Sequence, residues 1–123
     1  MELKDIAEAL VEGCRTHREE ENLGRLYADD AVSVEAGAPP GQDRVSAGLD
    51  AIRGKHAWWN ENFEVHEMTA DGPYLHGDDR FAVIFDADST MKQTGQRTRM
   101  REVGIYHVAD GKIVREEFFY TGG

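Results

Sequence analysis

The sequence predicts an α+β fold, and three observations carry that reading. Apolar residues recur at helical spacing through the first half of the chain. From residue 64 onward they alternate instead, as strands require. The separators in that second half, HGDD, QTGQ and ADGK, carry turn chemistry. Helices followed by a four-stranded meander build a sheet that packs its apolar face on those helices.

Leu3, Ile6, Ala7, Leu10, Val11 and Cys14 share one face of a first helix. The charged run RTHREEEN closes it as a solvated helix end. Asn22 caps a short second helix bearing Leu23, Leu26 and Tyr27. AVSVE reads as a brief strand, and AGAPPGQDR, with two prolines and two glycines, as a loop. Ser46 opens a third helix, on which Leu49, Ile52, His56, Trp59 and Phe63 form one stripe at steps of 3, 4, 3 and 4. Strands follow over residues 64–76, 79–92, 97–109 and 112–120. Asp110–Gly111, between IYHV and KIV, is the strongest hairpin signal.

A length of 123 residues fits one domain, 1–123, with a single core. Hydrophobic residues at 40% and charged residues at 31% are those of a soluble globular chain. With 24 acids against 14 bases the formal net charge is −10. That excess argues against nucleic acid and repels an anionic membrane surface. No apolar run is long enough to span a bilayer. The stretch MELKDIAEALVEGC lacks the apolar centre of a signal peptide. The single cysteine, Cys14, fits a reducing cytoplasm and reads as part of the helical core.

Alternation sets Ser33 and Glu35 on one face of their strand, opposite Val32 and Val34. Glu35 is then either a solvated charge at a strand end or a carboxylate aimed into a cavity. Met100, Glu102, Gly104 and Tyr106 likewise share a face. Glu102 is either a pocket carboxyl or half of a cross-strand pair with Arg97, Arg99, Arg101 or Arg115. His56 interrupts an apolar stripe, so its ring nitrogens need partners. It is either a satisfied core residue or the partner of Glu35 in a proton-transfer pair. Trp59 continues the stripe towards the cavity, and Trp58 faces about 100° away. Asp86 and Asp88 share the face opposite Phe81, Val83 and Phe85, and read as solvent-facing or salt-bridged. His17, His66, His76 and His107 have no metal-ligand spacing, so no metal site is assigned. No phosphate-binding glycine loop, serine elbow or CxxC occurs in the chain.

The order LYADDAVSVE, GLDAIRGKHAWW and EVGIYHVADGKIVREEFFY resembles the nuclear transport factor 2-like superfamily. Within it the chain is most similar to SnoaL-like and ketosteroid-isomerase-like proteins. The resemblance implies a cystatin-like curved sheet, a cone with the N-terminal helices packed on it and enclosing a pocket. It also implies a small, largely apolar organic ligand and a homodimer paired through the sheets. At single positions it implies a general base at Glu35, a protonated acid that polarises the substrate at Glu102, and a pocket-facing residue at His56. Trp59, Tyr106, Glu116, Phe118 and Tyr120 fall on substrate-binding positions. The chemistry would be isomerase-like or that of a cyclase-like lyase, and needs no cofactor. The first helix lacks the tyrosine that ketosteroid isomerases use, so steroids are not implied. The alternative is a non-catalytic ligand-binding or dimeric interaction module of the same fold.

Overall fold

A computed structural model describes residues 1–121. The elements run α1 (Leu3–Arg15), α2 (Glu19–Leu26), β1 (Tyr27–Val34), β2 (Val45–Ala47), α3 (Leu49–Asn62), β3 (Phe63–His76), β4 (Arg80–Met91), β5 (Arg97–Ala109) and β6 (Lys112–Phe119). The six strands form one sheet in the order β2-β1-β6-β5-β4-β3. Strands β3 to β6 are the expected antiparallel meander. Beyond it, β1 docks parallel to β6, with Ser33 opposite Glu116, and β2 pairs antiparallel with β1. That parallel contact joins the first strand to the last and carries residues that line the site.

The apolar stripe of α1 buries Ile6, Ala7, Leu10 and Val11 against the inner face of the sheet. Leu23 and Leu26 of α2, with Leu49 and Ile52 of α3, complete the helical side of that core. Phe81, Val83, Phe85, Tyr106 and Ile113 supply the sheet side. Arg15 fastens the end of α1 to β3, donating to the Ala70 carbonyl from Nε at 3.2 Å and Nη2 at 2.7 Å. Asp110 and Gly111 both have positive φ, and Ala109 pairs with Lys112 around them, so the two-residue hairpin forms as its sequence requires.

Four local expectations are corrected. The helix that Asn22 was to cap begins earlier, at Glu19, and Asn22 lies buried inside it. Its amide donates to the Ala9 carbonyl at 3.1 Å instead, a close approach that the bare Cα of Gly13 permits. RTHREEEN is therefore the junction of two helices rather than one solvated end. Tyr27 is the first residue of β1, not the last of a helix. Ser46 lies in β2, and α3 starts at Leu49 after Gly48, whose N–H bonds the Ala31 carbonyl at 2.8 Å.

Candidate active site

The curved sheet and α3 leave a broad cleft of about 1830 Å³, open to solvent. Glu35, His56 and Glu102 all line it, as do Trp59, Tyr106, Glu116, Phe118 and Tyr120.

Glu35 sits one residue past β1, where its N–H donates to the Arg44 carbonyl at 2.9 Å and the Arg44 Nε donates to its carbonyl at 3.0 Å. Its carboxylate is gripped from two sides. Lys55 Nζ donates to Oε1 at 3.0 Å, and the Tyr120 hydroxyl donates to Oε2 at 3.2 Å. Lys55 also donates to the hydroxyl of fully buried Ser33, which puts Ser33 and Glu35 on the same face as their alternation requires. The Lys55 and Glu35 side chains keep only 21% and 26% of their exposure, so solvent screens the pair far less than a surface one. The Lys55 ammonium lies 5.0 Å from the centroid of the Phe118 ring, a cation–π contact.

His56 does not bond Glu35, because Lys55, one residue earlier on α3, has taken that place. Burial, aided by the Lys55 charge, pushes the His56 imidazole below its usual value, so the ring is neutral near pH 7. Glu102 stands opposite Phe85 on the inner face. Among the described residues it pairs with none of the arginines. Arg97 binds Asp88 at 2.9 and 2.7 Å, and Arg101 lies 3.9 Å from Asp86. Burial, reinforced by the negative charge of Glu35, pushes the Glu102 carboxyl up to about 7.

The remaining residues divide by depth. Tyr106 and Glu116 are opposite one another on β5 and β6 and 2% exposed, so they form the floor. Tyr27 donates to Glu116 at 2.8 Å there, and burial raises the Glu116 carboxyl above its ordinary value. Phe81 stacks on Tyr106 at 4.8 Å, and Phe118 meets its edge at 6.2 Å. Phe118 and Tyr120 are half-buried, and Trp59 stacks on Phe63 at 4.1 Å along the wall. Trp58 tilts against the same Phe63 ring. Among the described residues, no three His, Cys, Asp or Glu side chains gather as metal ligands would.

Sequence reasoning passed over Lys55, the residue that organises the site. The signal was present: Ile52, Lys55, His56 and Trp59 follow the 3, 4, 7 spacing of one helix face. Tyr27, read as helical core, is the buried donor to Glu116.

Three helices laid on a six-stranded curved sheet define an α+β protein of the cystatin-like, nuclear transport factor 2-like class. The chain belongs to the SnoaL-like family, whose domain model matches residues 1–120. A structure from Mesorhizobium loti, named provisionally as a SnoaL-like polyketide cyclase, is 42% identical with a TM-score of 0.90. The match covers 98% of this chain and 100% of that one. A cystatin-like protein from Xanthomonas campestris shares the fold at 20% identity and TM-score 0.77, covering 99% and 92% of the two chains. A ketosteroid-isomerase-like fold from Catenulispora acidiphila, bound to trimethylamine, does so at 21% and 0.72, covering 94% and 85%. No curated protein matches the chain.

Proposed function

We propose that the cleft binds a small, largely apolar organic molecule and moves a proton beside its carbonyl group, in isomerase- or cyclase-like chemistry without a cofactor. Glu35 is the base. Glu102, neutral up to about pH 7, donates a hydrogen bond to the oxygen on which charge develops. Neutral His56 lines the wall beside them as their proton-shuttle partner, and the aromatic groups of Trp59, Tyr106, Phe118 and Tyr120 hold the apolar body of the ligand. One observation carries the reading: two carboxyls of unlike environment face a single apolar-walled cleft, one ion-paired and one held near neutrality. The name of the Mesorhizobium relative adds support, since ring closure through a carbon nucleophile also begins with loss of a proton beside a carbonyl.

The test is deuterium uptake from heavy water into a panel of small β,γ-enones and 1,3-dicarbonyl compounds, followed by proton NMR. Wild-type protein speeds exchange of at least one class, and E35Q and E102Q each slow it by about 100-fold or more. A second reading, a non-catalytic binding module, is favoured by the grip on both oxygens of Glu35. Binding of the panel without exchange selects it.

We also infer a homodimer paired through the outer sheet face, where Phe119 is exposed. A single cysteine supports a cytoplasmic location. Among the described residues no helix is long and apolar enough to cross a membrane.

A further inference from the structure

We propose that Lys55 is the counter-ion of the reaction: its ammonium holds the Glu35 carboxylate at rest and transfers its hold to the substrate's enolate oxygen as Glu35 takes the proton. The inference rests on the proton-transfer reading for the reaction, while the anion site at Lys55 stands as a property that can be tested alone.

The argument begins with what a base needs from its surroundings. A carboxylate that removes a proton loses its charge, and an equal charge appears on the substrate's oxygen. In a poorly screened cleft, that displacement is opposed unless a cation sits within reach of both positions. Lys55 is so placed. Its Nζ is 3.0 Å from Glu35 Oε1, inside the cleft, with only a fifth of the side chain exposed. The other cations along the cleft, Arg99 and Arg101, have 63% and 68% of their side chains in solvent. They lie at the rim and cannot serve the interior.

An ammonium group has three N–H donors. One goes to Ser33 and one to Glu35, and the third has no acceptor among the described residues. The Ser33 bond and the Phe118 ring fix the ammonium in place, so it need not reorganise as charge moves. The step then balances. The α C–H bond breaks and its proton bonds to a Glu35 oxygen. The C–H electron pair becomes a C=C bond, and the carbonyl π pair moves to oxygen. Lys55 exchanges a carboxylate partner for an enolate partner, and the total charge of the site is unchanged. Lys55, from α3, supplies that oxygen with a donor carrying a full charge.

The experiment uses 4-nitrophenol, a planar phenol whose oxyanion is coloured, titrated into the full-length protein across pH. Wild-type protein binds the phenolate and lowers the apparent pKa of the bound phenol. K55M weakens phenolate binding about 10- to 100-fold and removes that shift, whereas K55R, which keeps the charge, retains most of both. E35Q binds the phenolate more tightly than wild type, because the competing carboxylate is gone. A structural role for Lys55 would not produce that gain. Phenolate binding unchanged in K55M, or no tighter in E35Q, overturns the proposal. Far-UV circular dichroism confirms that each variant is folded, and K55R serves as the folded control if K55M is not. If these binding results hold and no carbonyl compound exchanges deuterium, the anion site at Lys55 stands and the proton-transfer reading fails.

Discussion

The Tyr27 hydroxyl donates a 2.8 Å hydrogen bond to Glu116 Oε2, joining the first residue of β1 to the middle of β6 beneath the cleft. Both residues are nearly sealed from solvent, at 6% and 2% exposed. The bond therefore closes the floor where β1 and β6 run in parallel. Removing the hydroxyl leaves a buried carboxyl short of a donor. Y27F is expected to lower unfolding free energy by about 1–3 kcal/mol in urea titrations. It also removes an interaction that restrains the Glu116 carboxyl, which then titrates at still higher pH.

Gly104 decides how closely the floor aromatics approach. A Cβ built there lies 3.0 Å from the Tyr106 ring, 3.1 Å from Phe118 and 3.2 Å from Phe85. Three rings from three strands would have to retreat together, and the core leaves little room for that. G104A is expected to cost about 1–3 kcal/mol of stability and to alter the near-UV circular dichroism of the aromatic cluster.

The meander was legible because β4 buries the alternating Phe81, Val83 and Phe85 on one face, and because Asp110–Gly111 suits a tight hairpin. The placement of Glu35 beside Ser33 followed from the same alternation. What escaped were features set by tertiary context. Asn22 is a strong cap by type, but the Ala9 carbonyl of α1 gave its amide a tertiary partner instead. Ser46 looked like a helix start because three residues of edge strand carry almost no periodicity. Lys55 was overlooked because lysine normally reads as solvent-facing, and only the converging of β1, α3 and β6 turns its head inward. His56, more conspicuous in its stripe, lost Glu35 to that neighbour.

Cys14 provides a check on the packing of α1 over the cleft. Burial, with Glu19 and Glu116 nearby, pushes its thiol up to about 12. The thiolate that attacks disulfides is then scarce at pH 8. Reaction with Ellman's reagent is expected to be about 100- to 1000-fold slower in native protein than in urea. Fast native labelling would mean that α1 lifts readily from the sheet.

The outer face of the sheet offers a test of the dimer. Phe119 is 51% exposed and stands opposite Val103 on β5. A glutamate there would place like charges across a symmetric contact. F119E is expected to reduce the mass seen by light scattering from two chains to one at micromolar concentration. A wild-type protein already monomeric under those conditions would remove the homodimer proposal.

Glu102 links the site to stability through its proton. Its carboxyl titrates near 7 in the folded protein, against an ordinary value of 4.5, chiefly because burial penalises the anion. Below pH 4.5 both folded and unfolded chains hold the proton, and its contribution to stability is fully present. Between 4.5 and 7 the unfolded chain ionises while the folded one does not, so stability falls; above 7 the loss levels off at up to about 3 kcal/mol. E102Q holds no such charge at any pH. Urea midpoints taken from pH 4 to pH 8 should therefore show E102Q gaining on wild type as pH rises, with the gap levelling above 7. Lys55 opposes the upward shift of Glu102. In a K55M background the levelling is expected to move to higher pH, and an unmoved midpoint would mean that the ammonium does not act on the second carboxyl of the cleft.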